Sequence, residues 1–359
     1  MEEMVLNNIS NFWHGKKVYV TGHTGFKGAW LCTALLNEGA LVKGYALNPL
    51  TSPNMFSAID LEARMDSEIG DILHYEQMEN SMVEFDPEFV FHLAAQPLVR
   101  ESYQAPRTTF ATNVIGTVNL FEAARKIKGL RVILNVTTDK VYENLNQIWG
   151  YRENDALGGY DPYSASKACS EIVSSSYRSS FFTNTGVAIA TARSGNVIGG
   201  GDWSKDRLIP DLLKAMACRR DLSIRYPEAT RPWQHVIEPV FGYLTLAEKL
   251  YSDNTRYNGA WNFGPHQSNQ TSVLKIAKQM IELAGSEIKI NIEQYPELHE
   301  ASLLNLDISK SINLLNWKPK WNTYESLKKV LEWNDLLGQG DDMYDVTCKQ
   351  LSDYAKGEK

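Results

Sequence analysis

Two short runs, Thr138-Asp139-Lys140-Val141-Tyr142 and Tyr163-Ser164-Ala165-Ser166-Lys167, carry the side chains of this sequence best suited to chemistry. Tyr163 and Lys167 stand four residues apart, a spacing that puts both on one face of a helix. A free phenol, with a pKa of about 10, is a poor base at neutral pH. A neighbouring ammonium favours the phenolate, so the pair reads as a base for a substrate hydroxyl. Thr138 ends a predicted strand, where its own hydroxyl can bind the same oxygen. Oxidising an alcohol needs no more than these three groups. The carboxyl of Asp139 and the amine of Lys140 add proton-transfer groups beside them, which points to loss of water coupled to internal redox.

Internal redox needs a hydride carrier, and the sequence offers a seat for one. Val18-Tyr19-Val20-Thr21-Gly22-His23-Thr24-Gly25-Phe26-Lys27-Gly28 reads as a strand, a glycine turn and a helix start. Gly22 and Gly25 let the backbone turn tightly and approach a pyrophosphate. Gly28 lets the helix pack on the strand, and the helix start offers free N–H groups to the anion. Thr24 and Phe26 belong to the same turn, whereas Lys27 either contacts phosphate or is solvated. The second strand ends Gly44-Tyr45-Ala46-Leu47-Asn48, without the carboxylate that usually binds the adenosine ribose. Asn48 can hydrogen-bond the ribose hydroxyls, which leaves NAD against NADP open. In Gly70-Asp71-Ile72, Asp71 either reaches the adenine amino group or is a solvated loop acid.

Holding these motifs together calls for an α/β fold. Predicted strands at Lys17–Thr21, Leu41–Ala46, Phe89–Leu93, Arg131–Val136 and Val187–Ala192 alternate with helical patterns near Ala29–Glu38, Thr109–Lys126 and Ser164–Thr183. The strands are apolar throughout, as expected when helices cover both faces of a parallel sheet. The expected architecture is a Rossmann doubly wound parallel sheet with a smaller, interleaved C-terminal substrate lobe. Its NAD-binding part would span 1–192, with a return to the sheet at about 235–263 that includes His235–Tyr251 and Trp261-Asn262-Phe263. The substrate lobe would be 193–234 and 264–359, with helices at Leu208–Ala217, Ser272–Ala284 and Tyr324–Leu337.

The chain has 359 residues and a formal charge of −7, which gives no reason to expect nucleic acid or an anionic membrane as partner. Cys32, Cys169, Cys218 and Cys348 are widely spaced, so neither a zinc site nor a disulfide framework is expected; Cys32 and Cys169 read as small core residues. An acidic start, Met1-Glu2-Glu3-Met4, and the lack of an apolar run near the roughly 20 residues of a membrane span suggest a cytoplasmic protein.

With these motifs in place, the chain resembles the extended short-chain dehydrogenases/reductases, and within them the nucleotide-sugar 4,6-dehydratases. The resemblance covers most of the length. It runs through Thr21-Gly22, Phe91-His92-Leu93-Ala94-Ala95-Gln96, Asn113-Val114-Ile115-Gly116-Thr117, the two catalytic runs, Arg231-Pro232-Trp233-Gln234-His235 and Leu315-Asn316-Trp317-Lys318-Pro319. It implies NAD as cofactor, held by Ala94, Ala95 and Gln96 as well as the glycine turn, Tyr163 and Lys167. Most such dehydratases read Thr-Asp-Glu; Thr-Asp-Lys here, and the Arg193–Trp203 stretch with its Gly199-Gly200-Gly201-Asp202-Trp203 loop, are similar to the branch acting on CDP-glucose.

The implied reaction has Tyr163 take the 4-hydroxyl proton while C4 is oxidised, with Thr138 holding the oxygen and Lys167 orienting the ribose. A base removes the C5 proton, protonated Asp139 donates to the departing 6-hydroxyl, and a hydride returns to C6. Lys140 is either the C5 base or a cation that stabilises the enolate. Asn196, Arg207, Arg231 and Asn262 fall in segments that contact the nucleotide diphosphate, although Arg207 reads equally well as a solvated helix-start residue. His235 is expected to be structural. The helices near Thr109–Lys126 and Ser164–Thr183 would form a four-helix interface of a homodimer or a tetramer. The product, a 4-keto-6-deoxy sugar, would feed deoxysugar and lipopolysaccharide O-antigen precursors. A nucleotide-sugar 4-epimerase or a dTDP- or GDP-sugar 4,6-dehydratase of the same fold, and more distantly a non-catalytic dinucleotide sensor, are the competing readings; Asp139 speaks against the epimerase, and the retained Tyr163 and Lys167 against the sensor.

Overall fold

The computed structural model describes residues 12–266, 271–292 and 303–358, so the acidic start at 1–4 lies outside the described residues. Seven strands form one sheet: β1 (Lys17–Thr21), β2 (Leu41–Ala46), β3 (Asp66–Ile69), β4 (Phe89–His92), β5 (Val132–Val136), β6 (Ala188–Ser194) and β7 (Gly259–Phe263). Their order is β7-β6-β5-β4-β1-β2-β3, and every neighbouring pair is parallel. The chain reverses its direction of travel across the sheet at β1, between β2 and β4, and ligands bind at such a switch point in open α/β sheets.

Successive side chains of a strand face opposite sides of the sheet, so each strand feeds two cores. Val18, Val20 and Leu134 join a core with Trp30 and Leu31 of helix α1 (Phe26–Asn37). Tyr19, Val90 and Ile133 join a second core on the opposite face. Its helices are α2 (Tyr75–Phe85), which contributes Met78 and Met82, and α3 (Gly116–Ala124), which contributes Leu120 and Phe121. Helix α4 (Pro162–Ser180) starts where Asp161 caps it: the carboxylate accepts from Ser164 N at 2.9 Å, and Pro162 occupies the first turn.

Three expectations change. The stretch expected as one helix over Thr109–Lys126 is broken into Pro106–Phe110, a wider π turn at Ala111–Ile115, and α3. The turn aims Asn113 inward, where its amide bonds both Gln96 backbone groups and Ser166 Oγ. His235–Tyr251, expected as sheet, is mainly a helix, Ile237–Ser252. Its buried Val240, Tyr243, Leu244, Ala247 and Leu250 follow helical spacing and cover β5 and β6. Cys32 is buried, whereas Cys169 is only half-buried.

A third core joins Ile198, Trp233 and the short strand Leu222–Ile224 to helices α5 (Leu208–Ala217), α7 (Val273–Leu283) and α8 (Thr323–Gln339), counting Ile237–Ser252 as α6. A last helix, α9 (Met343–Lys356), lies against α1. The Gly199-Gly200-Gly201 loop has a packing reason: a Cβ on Gly200 would stand 2.1 Å from the Trp333 ring, and Gly201, at φ +82°, faces the Met55 sulfur. Among the described residues, no helix is long and apolar enough to cross a membrane.

Candidate active site

A cleft of about 1320 Å³ runs over the C-terminal ends of β1, β4, β5 and β6. Pockets for single small molecules are typically 300–1,000 Å³, so this one has room for two ligands side by side. One end is walled by the glycine turn. Gly22 sits at φ +81° and a Cβ there would lie 2.6 Å from Ala94 N, so the turn closes onto the Leu93–Ala94 backbone just beyond β4 only because position 22 has no side chain. Gly28 is tighter: its Cβ would meet Gly22 O at 2.1 Å. Gly25 opens to the cleft as the N-cap of α1 with no side chain bonding the first-turn N–H groups, and that turn carries no acid. A bare helix start beside a backbone cradle fits an anion such as a diphosphate.

Thr24, Phe26, Asn48, Asp71, Ile72, Ala94 and Ala95 also line this end. Asp71 Oδ1 accepts from Leu73 N at 2.9 Å, so the acid shapes its own turn. Gln96 needs correcting. It does not line the cleft; its amide nitrogen donates to Leu98 O at 3.1 Å and Thr109 Oγ1 at 2.9 Å, because the Asn113 turn pulls that loop inward.

The reacting groups meet at the other side of β5. Thr138 follows that strand and caps the short turn Asp139–Val141. Its Oγ1 donates to Asp139 Oδ1 at 3.0 Å, while Asp139 Oδ2 is buried without a hydrogen-bond partner. Burial raises the Asp139 pKa against the opposing pull of Lys140, the Thr138 hydroxyl, Arg231 and Lys27. A carboxyl in such a place is disposed to hold a proton. Tyr163 and Lys167 both line the cleft, as do Thr138 and Lys140.

The electrostatics depart from expectation in one respect. Tyr163 is pushed up to about 12, first by burial and also by the charge of Asp139, with the Thr138 hydroxyl and Arg207 pulling it down. The Lys167 ammonium donates to Val136 O at 3.1 Å, and burial lowers its pKa to about 8 against the attraction of Glu171.

Behind these residues, Arg193 grips Glu171 with two bonds of 2.9 Å, and the same carboxylate accepts from Thr137 at 2.5 Å and Thr191 at 2.6 Å. With four charge-assisted bonds satisfied, this buried pair ties α4 to β5 and β6 and fixes the helix face that carries Tyr163 and Lys167. Sequence reasoning missed Glu171, although its spacing of four from Lys167 was visible.

Of the residues assigned to substrate, Asn196, Arg207 and Arg231 line the cleft and Asn262 does not. Arg207 is held by Asp202 at 3.2 Å rather than free in solvent. Asn262 is a correction: it is fully buried, accepts from Tyr142 at 2.7 Å and donates to Tyr151 O at 2.9 Å and Asp307 O at 3.1 Å, which locks β7 to neighbouring loops. His235 is enclosed by the Trp30 and Trp321 rings, in keeping with a structural part. Lys27 is not solvated. Its ammonium donates to Ser194 Oγ at 2.8 Å and Tyr243 at 3.3 Å on the cleft wall, and burial lowers it to about 7. Among the described residues, no group of three or more His, Cys, Asp or Glu side chains could hold a metal ion.

Gly28→Ala tests the cradle. Because both colliding groups are backbone, α1 must shift away from the turn, and NAD affinity should fall by about tenfold or more, the equivalent of roughly 1.4 kcal/mol. Fluorescence titration with NAD measures it; an unchanged affinity would mean the cofactor does not use this turn.

Comparison with known proteins gives the family and the fold. A family model described as GDP-mannose 4,6 dehydratase matches residues 19–330. The chain is 46% identical over 349 residues to CDP-glucose 4,6-dehydratase of Salmonella typhimurium, covering 96% of this chain and 97% of that one. Among solved structures, UDP-glucose 4-epimerase of Thermotoga maritima with UDP-glucose superposes with a TM-score of 0.77 at 24% identity, over 89% of this chain and 98% of that one. The dTDP-glucose 4,6-dehydratase of Bacillus anthracis in complex with NAD gives 0.75 at 22% identity, over 89% and 97%. At these identities the solved structures share the fold.

Proposed function

Since the chain belongs to the GDP-mannose 4,6-dehydratase family, we propose that it converts CDP-D-glucose to CDP-4-dehydro-6-deoxy-D-glucose and water, using NAD that ends each turnover unchanged. The observation that carries the reaction type is Asp139: a buried carboxyl with raised pKa and an unpartnered oxygen, bonded to the threonine that holds the reacting hydroxyl. The choice of CDP-glucose is supported by the full-length relative at 46% identity.

The glycine turn, Asn48, Asp71, Ala94, Ala95 and Lys167 would hold NAD, which supplies a hydride acceptor and donor for the sugar and a positive charge that favours the Tyr163 phenolate. Tyr163 takes the proton of the 4-hydroxyl, and Thr138 holds that oxygen. The ketone made at C4 acidifies the C5 proton, which the base removes. Asp139 gives its proton to the 6-hydroxyl as it leaves. Arg231 and Arg207, with Asn196, hold the substrate diphosphate; planar guanidinium groups suit phosphate oxygens.

We assign the C5 base to Lys140, which lines the cleft directly after the acid. Lys140→Ala should slow the wash-in of solvent deuterium at C5 by about 10²-fold or more, read by mass spectrometry of the recovered sugar. Normal wash-in would leave Lys140 the part of a cation.

Competition among CDP, UDP, dTDP and GDP for the cleft tests the nucleotide. CDP should bind most tightly; a clear preference for dTDP would overturn the substrate while leaving the reaction type intact. Exposed Ile115 before α3, with Ile172 and Phe181 on and after α4, supports pairing of two copies through these helices, although the order of assembly rests on the family resemblance.

A further inference from the structure

A single buried ion pair underlies both catalytic runs, although one follows β5 and the other opens α4. Glu171 lies one helical turn beyond Lys167 on α4, and its carboxylate takes two bonds of 2.9 Å from Arg193 of β6. The same pair meets the run Thr138–Tyr142 at either end. Thr137, the residue before the run, donates its hydroxyl to Glu171 Oε1 at 2.5 Å. At the far end the Tyr142 hydroxyl accepts from Arg193 Nη1 at 2.8 Å.

The two ends differ in what else holds them. At the near end Thr137 N donates to Ala192 O at 2.9 Å, which carries the β5–β6 ladder up to the residue beside Thr138. Inside the run, Lys140 N meets Thr138 Oγ1 and Val141 N meets Thr138 O only at 3.4 Å. Bonds of that length are weak constraints on the turn that carries Asp139 and Lys140. Just beyond, the backbone of Val141 and Glu143 bonds Gly158 and Ala156, in a segment outside the sheet. The Tyr142 hydroxyl ties the turn to the sheet itself. It accepts the charge-assisted bond from Arg193 and donates to Asn262 Oδ1 at 2.7 Å, and those two residues are register partners on β6 and β7. Tyr142, Arg193 and Asn262 are all buried. With its proton on one fixed partner and a lone pair on another, the hydroxyl is held in place.

Resting on the dehydratase reading, we propose that Tyr142 is a positioning residue for the second half of the reaction: its hydroxyl sets where Asp139 and Lys140 stand relative to Tyr163. C4 oxidation draws on Thr138 and Tyr163, which β5 and α4 place without it. Removal of the C5 proton and departure of the 6-hydroxyl draw on the turn that Tyr142 closes. Tyr142 exchanges no proton with the sugar, because its own is committed to Asn262 Oδ1. Its tie runs to Arg193, which also grips the helix bearing Tyr163 and Lys167, so acid, base and helix share one reference point.

Tyr142→Phe removes the hydroxyl and keeps the ring, which stacks on Tyr151 at 5.1 Å. Rapid mixing of the NAD-loaded variant with CDP-glucose is read by NADH absorbance and by mass spectrometry of the sugar. C4 oxidation should run at the wild-type rate, while loss of water slows by about tenfold to 10²-fold, the scale of a misplaced catalytic group. NADH should therefore accumulate in the variant and not in the wild type. Thr137→Val, which cuts the opposite tie to the same ion pair, should accumulate none. A Tyr142→Phe enzyme that slows both steps equally, or neither, overturns the assignment. So does one that no longer takes up NAD in a fluorescence titration, since the hydroxyl would then hold the fold and not the turn. NADH build-up in Thr137→Val overturns it too, because any loosening of the ion pair would then suffice. A wild type that makes no 4-keto-6-deoxy sugar overturns the dehydratase reading itself, a result that cannot be confused with the others.

Discussion

Asp139→Asn should stop the reaction halfway. On mixing with CDP-glucose, the variant is expected to accumulate reduced nicotinamide, while loss of water falls by about 10²–10⁴-fold, the usual worth of a general acid. The physical case is specific. Asparagine keeps an oxygen to accept from Thr138, and its amide occupies the place of the unpartnered Oδ2, so the fold around Thr138 and Tyr163 is retained. What it cannot do is give up a proton. Oxidation at C4 needs only Tyr163 and Thr138 from this chain, so it proceeds; departure of the 6-hydroxyl does not. Absorbance of NADH in a rapid-mixing experiment, with the sugar analysed in parallel, separates the steps. Equal loss of both would mean that Asp139 acts by shaping the turn Asp139–Val141.

Tyr163→Phe should fail earlier. Removing the phenol oxygen leaves the ring packed at the start of α4 but takes away the base, so that C4 oxidation falls by about 10³-fold and no NADH accumulates. The pH response sharpens the result. Tyr163 is held up to about 12, so below that value its working, deprotonated form grows with rising pH. Wild-type oxidation should therefore rise with pH, and the variant's residual rate should lose that limb. A Phe variant that keeps both rate and slope would assign the base elsewhere.

Much of this arrangement was legible before the structure. The strands announced themselves because both faces are covered: all five residues of β5, Val-Ile-Leu-Asn-Val, are buried, so no polar alternation obscures them. The catalytic pair was legible because its geometry is local, four residues along one helix. What failed to show was whatever depends on distant partners. Gln96 belongs to the same motif as the cleft residues Ala94 and Ala95, and an amide that locks a loop, as Gln96 and Asn262 do, has the same letter as one that binds a ligand. Lys27 looked solvated or phosphate-bound, since its partners Ser194 and Tyr243 lie 167 and 216 residues away. The helix Ile237–Ser252 was misread as sheet because ten of its 16 residues are buried, including a run from Ile237 to Val240 that resembles a covered strand. The glycines of 199–201 are explained in part by the side chains of Trp333 and Met55, which come from opposite ends of the chain.

The central claim is that this site removes water from a nucleotide sugar without consuming its cofactor. Incubating the NAD-loaded protein with CDP-glucose, and weighing the sugar nucleotide by mass spectrometry while following NADH, tests it most directly. The account predicts a product lighter by one water with no net NADH. A sugar of unchanged mass but altered configuration would make the protein an epimerase, and an untouched sugar would contradict the account altogether.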